Sequence, residues 1–336
     1  MSRVLAGLAV SLLMAATVAA QPKVEVVVSG LDNPCGVAVQ PETGHLFVAD
    51  SGAGRVVRIV DGKIEDVITG YPLDVYGKGP MYNIGPLGLV FLDKDTLVVG
   101  DGGFKDGEEC LRVYAVPAAG KPALKYEDSK AKAGPLAAND QVKGEGNLYG
   151  LVATKAGIFV TCNGDDTKGW IAKCDINGQK IGELKRFIAT KEAVEVDAPV
   201  AITLGTKGEL VVGQMGEINV PGDSLLSFYN PNSGKLLLNL KTGLYDIASL
   251  AYHPKNEQLY AIDFAWMKTE DGGLFRLERE TKDGQQAIKP VKVAGLDKPT
   301  AMAFNKAGEL FITVIGPKKD GEGAKSGQLL KISSGL

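Results

Sequence analysis

Histidine is nearly absent from this chain: its 336 residues carry only two, His45 and His253. Both fall in polar turns behind hydrophobic runs. This placement argues against a serine–histidine–aspartate triad, a histidine-ligated zinc or iron, and a histidine general base. Cysteine is also sparse. Cys35, Cys110, Cys162 and Cys174 are scattered along the chain, with no C-x-x-C pair to hold zinc or run dithiol chemistry. Disulfides and buried free thiols both stay open as readings. The formal charge is −3 and no basic block occurs anywhere, which argues against a nucleic-acid partner. Beyond Ala20, no apolar run is long enough to cross a bilayer.

The stretch from Met1 to Ala20 reads as a signal peptide. Arg3 supplies the positive region, Val4 to Met14 the apolar stretch, and Val18-Ala19-Ala20 the small-residue cleavage site. The expected mature protein is therefore 21–336, one domain, secreted or periplasmic. With 45% hydrophobic residues it can bury a large core.

An internal repeat dominates the remainder. A small residue opens a hydrophobic run at Gly36, Gly88, Gly150, Ala201, Ser249 and Ala301, at a nearly regular period. Behind each anchor come an apolar run, a polar turn and a second strand: LFVAD, LVVGD, IFVTC, LVVGQ, LYAID, LFITV. A third strand follows as VVRI, CLRV, IAKC, LLSF, LFRL and LLKI. Its third position is Arg58, Arg112, Lys173, Ser227, Arg276 and Lys331, a column expected to face solvent. Six copies at this period predict an all-β, six-bladed β-propeller. The last blade is one strand short, so Lys23 to Val28 should supply its outer strand and close the ring. The small-residue column marks where the innermost strands converge on the axis.

The stretch from Pro34 to Ile59, PCGVAVQPETGHLFVADSGAGRVVRI, resembles an NHL repeat, and the resemblance extends over the whole mature chain. The wider set of six-bladed propellers includes the gluconolactonase- and regucalcin-like family. That resemblance implies a binding face where the innermost strands begin and the second strands end. Ligand-binding candidates there are Asp50, Asp101, Asp197, Gln214 and Asp263, with Tyr76, Tyr82 and Trp266 from the long loops. Carboxylates and amides beside aromatic rings suit a small, sugar-like molecule. The other rings near this face are Tyr71 and Phe104.

In the gluconolactonase-like family, calcium is held by a Glu in an E-G-P motif and by an Asn and an Asp just before the small residue of later blades. Here E-G-P is absent, and the preceding residues are Cys35, Leu87, Tyr149, Val200, Ala248 and Thr300. A shifted set, Asn33, Asn147 and Asp246, falls in one column on alternate blades and is the candidate calcium site. Two functions follow as expectations. The first is a non-catalytic, monomeric binding module for a small molecule or a protein, with no cofactor. The alternative is a calcium-dependent lactonase or esterase, with Asp197 or Asp263 as the base.

Overall fold

A computed structural model describes residues 22–77, 80–164, 167–178, 180–317 and 325–336. The leader reading for Met1 to Ala20 lies outside the described residues, as do parts of the loops NGDDTKG and IGPKKDGEGAKSG. Among the described residues, no helix is long and apolar enough to cross a membrane.

The chain forms six antiparallel blades around one axis. Their innermost strands are Pro34–Val39, Pro86–Asp93, Leu148–Thr154, Pro199–Leu204, Ile247–Tyr252 and Pro299–Phe304. Each is followed by a second strand one step outward: Leu46–Asp50, Thr96–Asp101, Gly157–Cys162, Leu210–Gln214, Leu259–Asp263 and Leu310–Val314. Innermost strands of successive blades touch, and the sixth touches the first. Closure is made by Val24–Leu31, which pairs with Gly327–Ile332 as the outer strand of the last blade. This places the N-terminal strand where the repeat period requires it and covers an edge that would otherwise template aggregation.

Two constraints shape the axis. The first is close approach. A Cβ on Gly36 would collide with the carbonyl oxygen of Leu87, and one on Gly88 with that of Tyr149. Side chains are excluded there by the backbone of the neighbouring blade. The second is a β-bulge at the same point of every innermost strand. Pairing with the second strand slips between Pro34 and Gly36, Pro86 and Leu89, Leu148 and Leu151, Pro199 and Ala201, Ile247 and Ser249, and Pro299 and Ala301. A bulge sets two residues against one and re-aims a side chain. The extra residues include Cys35, Tyr149, Val200, Ala248 and Thr300, and all of them turn toward the axis.

The hydrophobic core lies between blades. Phe47, Leu89, Leu97 and Tyr114, for example, form one cluster across blades 1 and 2. Two insertions decorate the ring. Leu124–Lys125, from beyond blade 2, pairs parallel to Ile68–Thr69 at the edge of blade 1. The hairpin Asp74–Tyr76 with Tyr82–Ile84 stands in the connection from blade 1 to blade 2.

The charged column on the third strands departs from expectation. Arg58 is buried against Glu65 at 3.0 Å, Arg112 bonds Asp101 at 3.1 Å, and Ser227 is fully enclosed. These side chains lie between strands and loops, because the outer strands and insertions cover them and supply polar partners.

Adding a methyl at the tightest point tests the packing. Gly88→Ala should destabilise the protein by about 1–3 kcal/mol in urea unfolding, the usual cost of overpacking. An unchanged midpoint would mean that the innermost strands stand further apart than described.

Candidate functional site

A cavity of about 90 Å3 opens where the innermost strands begin. Its floor is the complete ring of bulge positions: Cys35, Leu87, Tyr149, Val200, Ala248 and Thr300. Above them sit Asn33 and Asn147, at the starts of their strands, and Asn163, Met215, Phe264 and Ile315, one step beyond the second strands. Tyr76, Tyr82 and Ile84 of the hairpin and Trp266 of blade 5 complete the wall. Trp266 packs on Phe264 with ring centroids 4.3 Å apart, and meets Tyr82 at 6.1 Å and Tyr76 at 6.3 Å. An adjoining groove of about 210 Å3 shares Tyr76, Asn163 and Met215 with the cavity and adds Asp197 and Glu217.

Three of the sequence-derived ligand residues, Tyr76, Tyr82 and Trp266, thus converge, although a long stretch of chain separates the two hairpin tyrosines from Trp266. Tyr71 and Phe104 do not join them. They pack on Tyr126 in the core of blades 1 and 2.

Asp50, Asp101, Gln214 and Asp263 lie off the cavity, and the reason is strand alternation. The last residue of each second strand faces the blade interior, and the next residue faces the axis. Strand ends read from the sequence therefore fall one residue short of Asn163, Met215, Phe264 and Ile315. The buried polar ends instead tie loops down. Asp50 accepts the Asp32 N–H at 2.6 Å and Arg55 Nε at 2.8 Å. Asp101 accepts Arg112 Nε at 3.1 Å and the Cys110 N–H at 3.3 Å. Gln214 donates to the Val196 carbonyl and accepts the Ser227 hydroxyl at 2.9 Å. Asp263 accepts the N–H groups of Tyr245 at 2.9 Å, Asp246 at 2.7 Å and Ala265 at 3.2 Å. Asp197 is the exception, since it lines the adjoining groove, where Lys191 Nζ approaches to 2.7 Å.

The candidate calcium residues separate. Asn33 and Asn147 line the cavity with φ of 44° and 49°, a left-handed conformation that asparagine tolerates better than most residues. Their Nδ2 groups donate to the carbonyls of Asn83 at 3.0 Å and Asn163 at 3.2 Å. Asp246 lies off the cavity; its Oδ2 accepts the Trp266 N–H at 2.7 Å, and its Oδ1 is buried with no partner among the described residues. Burial pushes Asp246 up to about 7, reinforced by Asp263 and Asp223 and opposed by the Trp266 N–H.

Calcium needs six to eight oxygens, usually including carboxylates. Among the described residues lining this cavity, side-chain oxygens come from Asn33, Asn147, Asn163, Thr300 and tyrosines, all of them neutral groups. Among the described residues, no group of three or more His, Cys, Asp or Glu stands ready for a metal. Axial calcium does not fit this residue set.

The four cysteines are free and buried. Burial pushes Cys35, in the cavity floor, up to about 12, so its thiol stays protonated and unreactive. Both histidines follow innermost strands, at the end of the ring away from the cavity.

Comparison with protein-family models and with curated proteins finds no match. Solved structures do match in shape. A putative oxidoreductase (glucose dehydrogenase) from Thermus thermophilus superposes with TM-score 0.62 at 16% identity, covering 93% of this chain and 100% of that one. A gluconolactonase from Xanthomonas campestris gives 0.59 at 13%, with 93% and 89% covered. The PQQ-bound aldose sugar dehydrogenase from Streptomyces coelicolor gives 0.59 at 14%, with 93% and 99% covered.

The chain is thus a six-bladed β-propeller whose structural neighbours fall in the gluconolactonase-like and aldose sugar dehydrogenase set. Likeness at this identity establishes the fold alone. Those neighbours carry enzyme names, and this corrects the expectation of a non-catalytic binding module in favour of its enzymatic alternative. A PQQ cofactor meets the same obstacle as calcium. It is a tricarboxylate, and among the described residues no Lys or Arg lines the cavity.

Behind Asn147 lies Glu109, whose carboxylate accepts the Asn147 N–H and, at 3.5 Å, that of Phe104. Burial pushes it up to about 9, with Asp106 and Asp101 adding to the shift and the N–H groups opposing it. A raised carboxyl favours the folded state while it stays protonated. Its contribution is complete below the ordinary value of 4.5 and is lost as pH rises through about 9. Glu109→Gln should therefore flatten the fall in melting temperature between these limits. Parallel wild-type and variant curves would show that Glu109 ionises freely.

Proposed function

We propose that this chain is an enzyme of the lactone and ester hydrolase type. It acts on a small, neutral, largely apolar carbonyl compound held in the cavity, without a calcium ion on the axis. The observation that carries this reading is the meeting of an aromatic wall with side-chain amides on an uncharged floor. Tyr76, Tyr82, Phe264 and Trp266 offer ring faces, while Asn33, Asn147 and Asn163 offer polar groups in the same cavity. The gluconolactonase among the structural neighbours supports the same direction.

In this reading the substrate ring stacks on Trp266 and Tyr82. Each of Asn33 and Asn147 uses one amide hydrogen on a backbone carbonyl, and the second is the donor for the substrate's carbonyl oxygen. Asp197, in the groove alongside, is the general base. It takes a proton from water as the water oxygen bonds to the carbonyl carbon. Collapse of the tetrahedral intermediate breaks the bond to the ester oxygen, which recovers the proton from Asp197 and leaves as the alcohol group. A lactone and water become one hydroxy acid. The protein is read as an exported monomer, secreted or periplasmic, working on a small molecule and not on nucleic acid.

A panel of lactones and aryl esters assayed with chelator present tests the reading. Wild-type protein should turn over at least one member under these conditions. Asp197→Asn should lower kcat roughly 10²–10⁴-fold. Trp266→Ala should raise KM about tenfold with little change in kcat. Activity abolished by chelator, undiminished in Asp197→Asn, or absent across the panel would overturn it.

A further inference from the structure

Tyr149 bars the axial channel. It stands at the bulge of blade 3, and its hydroxyl donates to the carbonyl of Thr300, at the bulge of blade 6, over 2.9 Å. In a ring of six, blades 3 and 6 are opposite each other. The phenol therefore spans the diameter and is fastened at both ends. Burial of the phenol raises its pKa well above the ordinary value, so at any ordinary pH it keeps the proton it donates.

Below the ring lies a second chamber of about 360 Å3, walled by the innermost strands of all six blades and reaching toward the opposite face. Four residues, Cys35, Tyr149, Val200 and Ala248, line both this chamber and the cavity above. Only Tyr149 among them has a side chain long enough to cross the axis. The other bulge residues, of which Leu87 is the largest, do not reach across the diameter, so the two spaces would be continuous without its ring.

We infer that Tyr149 is the specificity-determining floor of the cavity: its ring divides one axial channel into two chambers and sets the length of apolar ligand the upper chamber accepts. The inference deepens the hydrolase reading by limiting its substrate to a compact acyl or lactone group, with any longer chain left at the mouth. The division of the channel stands on geometry that does not depend on that reading.

The test uses two readouts. In the first, n-alkanols from butanol to decanol are titrated into the whole protein by calorimetry. Each methylene that finds an apolar surface tightens binding about fourfold. Wild-type affinity should rise with length and then level off. In Tyr149→Val, which installs the residue blade 4 already carries at this point, the rise should continue to longer alkanols than in wild type. Tyr149→Phe keeps the ring without its hydrogen bond and should level off where wild type does. Tyr149→Leu, the blade 2 residue, replaces the valine variant if that does not unfold cooperatively.

The inference is overturned if the valine or leucine variant shows the wild-type length limit, or if Tyr149→Phe shifts as far as they do. The second readout is turnover of lactones of graded alkyl length, where the cut-off should move with the alkanol limit. A shifted alkanol limit with no turnover of any lactone would sustain the partition and remove the hydrolase reading. Turnover with an unmoved limit would do the reverse.

Discussion

The convergence of six innermost strands on one axis is the constraint on which the rest of the molecule depends. Strands that close cannot all carry side chains at the contact, so Gly36 and Gly88 give way to the carbonyls of the next blade. The bulge then relieves the crowding by turning one residue per blade inward. The chemistry available on the axis is therefore set by six positions, and in this chain they are a thiol, a leucine, a tyrosine, a valine, an alanine and a threonine. None is charged. A hard cation or a polyanionic cofactor placed there would lose its hydration without gaining a counter-charge.

The same low polarity explains where the acids went. A carboxylate buried beside such an axis needs donors, and Asp50, Asp101 and Asp263 find them in backbone N–H groups at the starts of strands and loops. Their function is to hold the rim in shape. Asp263 fixes Tyr245, Asp246 and Ala265, and Asp246 in turn fixes Trp266, so the indole that forms the cavity wall rests on a chain of two buried carboxylates. Glu109 does the same for Asn147. Raised pKa values at Asp246 and Glu109 are the consequence of this placement, since burial is the leading cause of both shifts.

Much of this architecture was legible in the sequence because its signals are local. Anchors, turns and alternating runs repeat in every blade, and the missing outer strand of blade 6 had one sequence that could supply it. The convergence of Tyr76, Tyr82 and Trp266 was half legible: their loops pointed to the binding face, while their contact required the ring to close. Asn163, Met215, Phe264 and Ile315 were hidden by a single step of strand alternation at strand ends, where side-chain direction depends on register. Tyr149 was hidden for another reason. Its meaning rests on blade 3 lying across from blade 6, and no local pattern states which residues of a ring are diametrically opposed. The third-strand arginines mislead because a charge on an alternating strand faces solvent only when no insertion covers it, and Pro117 and Glu65 cover Arg58.

An uncharged axis changes what the fold can select for. Where a metal or an arginine holds a ligand, charge gives orientation and tolerates poor fit. For the proposed substrate, orientation would come from ring faces and from amides whose first hydrogen is already committed to the backbone, so shape would carry more of the discrimination. The carboxylates that line the adjoining groove, Asp197 and Glu217, stand outside the ring, Asp197 paired with Lys191 at 2.7 Å. The charged groove and the uncharged cavity thereby stand side by side. The groove carries carboxylates while the cavity floor is uncharged, and Asn163, Tyr76 and Met215 line both, so the proposed hydrolysis would join the two along that shared wall.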